Sequence, residues 1–280
     1  MEKKDIKTLH QLALDMRKTI LRMTNHAGAG HVGGSMSEIE ILTVLYFCIM
    51  KIDPAKPDWP ERDRFILSKG HSTPGYYTAL AYRGYFPIDL LDTFDNCDSK
   101  LQAHPDMHKC PGVDYSTGSL GQGISVALGM AVAIEKQHRD STVFVLIGDG
   151  EAQEGQVWEA LMFAAANRVK HIVFIFDANN VQLAADNKAG TDADALIRKL
   201  DGFDIVTLDV NGNDLDELLP ELEEAVQISK DGPVAVVART VKGKGVSFME
   251  GSYKWHGKAP NNDELALALN ELENGEKNDR

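Results

Sequence analysis

Three short runs constrain the architecture most: Val143 to Ile147, Ile172 to Phe176 and Val234 to Ala238 are unbroken apolar stretches rich in Val, Ile and Phe. A strand with one wet face alternates polar and apolar residues, whereas a strand covered on both faces does not. Such runs call for a mainly parallel sheet flanked by helices on both faces. Phe65 to Leu67 and Ile205 to Val210 are weaker strand candidates. Between the runs lie segments with helical spacing. Gly123 to Gln137 carries the small residues Ala127, Gly129, Ala131 and Ala133, and Gly155 to Arg168 carries Val157, Trp158, Leu161 and Met162. Asp214 to Lys230 carries Leu215, Leu218, Leu222 and Val226, with Pro220 in its first turns. Strands alternating with helices predict an α/β, doubly wound fold.

Before the first strand candidate, Leu9, Leu12, Ala13, Met16 and Ile20 space a helix from about Ile6 to Thr24, which a glycine-rich loop from His26 to Gly34 ends. Ser37, with Glu40 three residues on, reads as the cap of a helix over the apolar run Ile41 to Met50. The 280 residues allow one large domain or two small ones. With no internal repeat and no linker, one domain over 1–280 is expected, its polar end, about 271–280, fraying.

Charge excludes some partners. Against 42 Asp and Glu there are 29 Lys and Arg, a net −13, which is opposite to what a nucleic-acid surface needs. No stretch approaches the ~20 apolar residues of a membrane span. The N-terminus runs into its helix without a signal-peptide core, and three cysteines are too few and too odd for a disulfide framework. The expectation is a cytoplasmic chain that meets neither nucleic acid nor membrane.

Ligands of open parallel sheets bind beyond the carboxyl ends of strands. Gly148-Asp149-Gly150 follows the first apolar run and Asp177-Ala178-Asn179-Asn180 follows the second, with one helix between them. A crossover through that helix brings both strand ends to one edge. Asp149 offers a carboxylate and Asn179 an amide oxygen, the hard donors that Mg²⁺ or Ca²⁺ prefers. Gly148 and Gly150 leave room for a phosphate beside the backbone. Either dipeptide alone is an ordinary turn; the pair at adjacent strand ends is more specific.

This pair resembles the thiamine diphosphate signature, and the segment from Gly148 to Ala160 is similar to transketolases in particular. The resemblance runs from about Leu9 to Asn262 and includes Asp63 to His71, Ser116 to Gly123, Lys242-Gly243-Lys244-Gly245 and Trp255-His256-Gly257-Lys258. It implies a thiamine diphosphate-binding fold. Metal binding falls to the side chains of Asp149 and Asn179 and the carbonyl of Val181. The cofactor falls to His71, Gly118, Ser119, Leu120, Gly150, Asn179, Lys242 and His256. The implied reaction transfers a two-carbon ketol unit from a ketose phosphate to an aldose, using phosphorylated sugars. Breaking the ketose C2–C3 bond needs a proton removed from the C3 hydroxyl, and imidazole, with its pKa near ~6.5, performs such transfers at neutral pH. His31, His104 and His256 take the sugar-facing roles by resemblance. Val32, Ala103 and Ser119 depart from residues common in the family, while the imidazoles are kept.

Complete transketolases carry two further domains, and the next one supplies the glutamate that activates the cofactor. The resemblance therefore implies the N-terminal subunit of a split enzyme, paired in an α2β2 assembly with a C-terminal (pyrimidine-binding) transketolase subunit. Glu154 is the partner-facing candidate, although a carboxylate there also suits a helix N-terminus. The helix from Gly123 to Gln137 is a candidate interface element. Two alternatives remain: an α-subunit of a 2-oxo-acid dehydrogenase, which needs no sugar-facing histidines, and a non-catalytic cofactor-binding subunit. A zinc reading of His104, His108 and Cys110 ranks below the oxygen-ligand site, because no regular motif places a fourth ligand.

Overall fold

The computed structural model describes residues 5–183 and 190–278, with the side chains of 276–278 left aside. Its centre is a five-stranded, all-parallel sheet. In chain order the strands are β1 (Arg64–Leu67), β2 (Val143–Gly148), β3 (Ile172–Ala178), β4 (Val206–Asn211) and β5 (Val234–Arg239), arranged β1-β2-β3-β5-β4. The three apolar runs became the three inner strands. The weaker candidates became the two edges, where β4 leaves Val206 half exposed.

Alternate residues of β1, β2, β3 and β5 feed two separate cores. Phe65, Leu67, Phe144, Leu146, Val173, Ile175, Val234 and Val236 face one, while Ile66, Val145, Ile147, Phe174, Phe176, Ala235 and Val237 face the other. The first core is closed by α1 (Ile6–Ala27), α2 (Val32–Ser37), α3 (Ile39–Val44) and α4 (Thr73–Arg83). The second is closed by α5 (Gln122–Lys136), α6 (Gly155–Ala166) and α7 (Ala193–Asp201). Two more helices, α8 (Leu215–Ile228) and α9 (Asn262–Asn278), join the first side. This is the doubly wound arrangement that unbroken apolar strands require.

Local chemistry sets the helix ends. The Asp5 carboxylate accepts from the Thr8 N–H at α1, and Gly28, at φ +65°, closes that helix. Asp192 and Asp214 cap α7 and α8 in the same way.

One expectation is corrected. Ser37 is not a cap: it ends α2, and its hydroxyl donates to the Gly34 carbonyl (2.9 Å) and to Asp177 Oδ2 (2.6 Å), so the neighbouring sheet claims it. Helix α9 runs to Asn278 because Ala268 and Leu272 are buried against α1 and Glu271 accepts from the Ser247 N–H (2.6 Å) and hydroxyl (2.8 Å). Residues 279–280 lie outside the described part. No helix among the described residues is long and apolar enough to cross a membrane.

Candidate active site

Because all strands run parallel, the loops after β1, β2, β3 and β5 rise on one edge. They carry Lys69 and His71, then Asp149 and Gly150, then Asn179 to Val181, then Lys242. A rim is added by His31 at the start of α2 and His256 beyond Lys242. Gly33 allows the close approach, since a Cβ there would lie 2.7 Å from the Trp255 carbonyl.

Three imidazoles meet here. The ring centroids of His31 and His71 are 4.9 Å apart, those of His71 and His256 5.1 Å, and those of His31 and His256 5.4 Å. Burial, followed by neighbouring positive charge, lowers the pKa of all three: His71 falls well below the usual histidine range and His256 falls to about 3. All three are therefore neutral at physiological pH. Lys242 Nζ lies 2.7 Å from His256 Nδ1. A protonated lysine must donate, so the single ring proton of His256 sits on Nε2, directed away from the lysine. His104 stands apart from this trio, exposed, against Gly118 at φ +154°, where a Cβ would come within 2.9 Å of its ring. It is still close enough to disfavour charge on His31.

The expected metal ligands are joined by hydrogen bonds. Asp149 accepts from the N–H groups of Gly150 (2.7 Å) and Asn180 (2.5 Å). Asn179 Oδ1 accepts from the Val181 N–H (3.1 Å), and the Val181 carbonyl accepts from Lys242 Nζ (3.1 Å). Each of these oxygens keeps a further lone pair. Burial and then Asp177 push the Asp149 carboxyl up to about 7, so an anion there is costly until a cation arrives. Lys242 carries the complementary strain. It is buried, its pKa is lowered to about 8 mainly by burial, and among the described residues no carboxylate lies within ion-pair distance. An acidic carboxylate short of a cation beside a buried lysine short of an anion fits a divalent metal bridged to a diphosphate. Asp149, Asn179 and Val181 would hold the metal, and Lys242 with His71 and His256 would face the diphosphate.

The remaining expected residues fall around this centre. Gly118 packs against Gly70, where a Cβ would lie 2.7 Å from the Gly118 nitrogen, with Ser119 exposed and Leu120 half-buried beside it. Glu154 is exposed at the start of α6, its side chain beside Gly121, and makes no capping hydrogen bond. Among the described residues no group of three or more His, Cys, Asp or Glu side chains gathers as a metal site, so His104, His108 and Cys110 are not brought together.

Sequence reasoning missed the layer beneath. Lys69 Nζ contacts Asp177 Oδ2 and Glu38 Oε2, each at 2.6 Å, and all three side chains are buried. Glu151, also buried, accepts from Ser68 Oγ (2.6 Å) and from the Gly121 (2.8 Å) and Gly148 (3.1 Å) N–H groups, tying three loops together. One signal was available: an aspartate that ends an otherwise apolar inner strand needs a buried partner.

Fold and site thus define an α/β domain whose strand-end loops gather hard oxygen donors and a buried lysine at one edge of the sheet. The family model for "Transketolase, thiamine diphosphate binding domain" matches residues 1–277, and the chain belongs to that family. It is similar to a 6-deoxy-6-sulfo-D-fructose transketolase subunit of a Clostridium species, 42% identical over 98% of each chain. It is also similar to one of the subunits of an apulose-4-phosphate transketolase from Actinobacillus succinogenes, 43% identical over 91% of this chain and 92% of that one. The solved transketolase of Campylobacter jejuni superposes with a TM-score of 0.89 at 29% identity, covering 96% of this chain and 43% of its own. That of Leishmania mexicana gives 0.88 at 26%, covering 97% and 42%. The chain therefore spans less than half the length of these solved transketolases.

Proposed function

We propose that the chain is the diphosphate- and metal-binding subunit of a two-chain transketolase, moving a two-carbon ketol unit from a ketose phosphate, or a similarly anionic ketose, to an aldose. The observation that carries this is the meeting of three neutral imidazoles with an unpaired buried lysine above the metal-type oxygens. A 2-oxo-acid dehydrogenase subunit needs the diphosphate end but not the imidazoles, and the family match departs from it. The short relatives matched over nearly their whole length are themselves named as transketolase subunits, which supports a separate partner chain.

Thiamine diphosphate, when bound with Mg²⁺, Ca²⁺ or another divalent ion, supplies the electron sink for the carbanion left by C2–C3 cleavage. The chain's own groups handle protons. A neutral imidazole accepts the proton of the donor's C3 hydroxyl and returns it to the acceptor's carbonyl oxygen, a role that falls to His31, while His256, with its proton on Nε2, donates a hydrogen bond to the same oxygens. His104, on the rim, reaches hydroxyls farther out. His71, deeper and held neutral, lines the diphosphate end. Lys242 meets the anion.

The partner would be a C-terminal, pyrimidine-binding transketolase subunit in an α2β2 assembly. Exposed Glu154 and the exposed apolar side chains of Met162 (53% exposed) and Phe163 (49%) on α6, which packs against α5, support an interface there. The test is to purify the chain with Mg²⁺ and thiamine diphosphate, identify the polypeptide that co-purifies, and assay ketol transfer. Full activity of the chain alone overturns the two-chain reading. In the reconstituted complex His31→Ala is expected to lower kcat by about 10²-fold or more, and His104→Ala to act mainly on KM. Unchanged turnover in both would restore the non-catalytic alternative.

A further inference from the structure

Asp177 lies near the end of β3 with no exposed surface. Its Oδ2 accepts from Ser37 Oγ (2.6 Å), Lys69 Nζ (2.6 Å) and Asn179 Nδ2 (3.2 Å), and its Oδ1 accepts from the Thr240 hydroxyl. Lys69 is itself braced, donating to the Gly34 carbonyl (3.2 Å) and pairing with Glu38 Oε2 (2.6 Å), which also accepts from Ser72 Oγ (2.8 Å). Every hydrogen-bond partner of the Asp177 carboxylate among the described residues is a donor, so the group acts only as an acceptor.

That asymmetry matters for Asn179. The two ends of a side-chain amide are nearly equal in shape, and hydrogen bonding decides which way it faces. Beside an acceptor the NH₂ must point inward, which leaves Oδ1 on the opposite side, where the Val181 N–H meets it at 3.1 Å. A divalent cation accepts only the oxygen end. An amide free to turn would spend part of its time presenting hydrogens to the ion.

We propose that Asp177, held in place by Lys69, is a positioning residue: it locks the Asn179 amide so that its oxygen, and not its nitrogen, faces the metal. The proposal rests on the metal–diphosphate reading of this site. It gives the buried ionic layer a role beyond joining loops. Positioning is distributed along one line, Glu38 to Lys69 to Asp177 to Asn179, with only the last member touching the cofactor complex.

Calorimetric titration of Mg²⁺ into the chain, alone or with its co-purifying partner and with thiamine diphosphate present, tests this by the half-saturating Mg²⁺ concentration. Asp177→Asn is expected to raise it at least tenfold. Thr240→Val, which removes one bond from the same carboxylate but none from Asn179, should stay within threefold of wild type. Asn179→Asp gives the sharper result. A carboxylate ordinarily binds Mg²⁺ at least as well as an amide, yet here it would face the Asp177 carboxylate, so the variant should bind at least tenfold more weakly. Adding Asp177→Asn to it should recover most of that loss. Equal or tighter binding by Asn179→Asp overturns the proposal, as does a double variant no better than the single, or a Thr240→Val loss as large as that of Asp177→Asn. If wild type itself shows no Mg²⁺-dependent cofactor binding, the metal–diphosphate reading fails first, and that result is distinct from all the others.

Discussion

Lys69 and Lys242 are both buried lysines on the same edge of the sheet, 3% and 2% exposed, yet they end in opposite electrostatic states. For each, burial is the largest influence and favours the neutral amine. At Lys69 the carboxylates of Asp177 and Glu38, each 2.6 Å away, outweigh it, and the pKa is raised above the usual lysine range. At Lys242 the nearest partners are a carbonyl and a neutral imidazole, and the pKa falls to about 8. The first lysine is finished by the fold. The second is left one anion short, and an incomplete pair is what a ligand site looks like before its ligand binds.

The largest expected effect tests the finished pair. Lys69→Met keeps the stem's volume but leaves two buried carboxylates without a counter-charge, and should destabilise the chain by about 3–5 kcal/mol in urea titrations at neutral pH. Lys242→Met should do the reverse in the absence of ligands. It removes a desolvated charge, so stability should rise, by at most about 3 kcal/mol from the size of the shift. Equal losses in the two variants would break the comparison.

The same Lys242→Met variant should bind thiamine diphosphate about 10- to 100-fold more weakly at saturating Mg²⁺, the usual worth of a hydrogen bond to a charged group. Direct titration measures this. Weakened binding together with a more stable bare chain would separate the site role from a structural one.

Smaller effects lie in the pH dependence of the bare chain, where the signs differ. A lowered pKa means the unfolded chain holds more protons between the two values, so stability is present above the unfolded pKa and lost as pH falls through that window. For Lys242 the window runs from 10.5 down to about 8, and wild type should gain on Lys242→Met as pH rises across it. Lys69 opposes this only at the upper end of the window, because its folded pKa is raised and its contribution starts to be lost as pH rises through 10.5. For His31, His71 and His256 stability should fall as pH drops below 6.5, reaching for His256 to about 3. Glu38, pushed up to about 7 chiefly by burial, opposes them, losing stability as pH rises from 4.5 through about 7. Urea midpoints of wild type and His256→Asn across pH 4 to 7 show whether the imidazoles steepen the acid limb.

Legibility followed burial pattern. The three inner strands announced themselves because full burial removes alternation, and α1 and α8 because one face of each is wet. Helix α4 went unread: residues Thr73 to Ala81 are all buried, so no periodicity marks it, although Pro74 at its start and Gly84 at its end were signals. Ser37 was misassigned for the opposite reason. Its local context spells a cap, but a carboxylate 140 residues away takes its hydroxyl.

Sequence alone determined the parallel sheet and the chemistry at each strand end, because strand runs, Gly-Asp-Gly and Asn-Asn are properties of neighbouring residues. Only the tertiary structure decided which groups are charged. One counter-ion of Lys69, Asp177, lies 108 residues along the chain, His104 stays exposed and apart while three other histidines come together, and Lys242 is left without a carboxylate among the described residues. Ionisation in a buried site depends on what stands within a few ångströms, and that is set by packing across the sheet rather than by order along it.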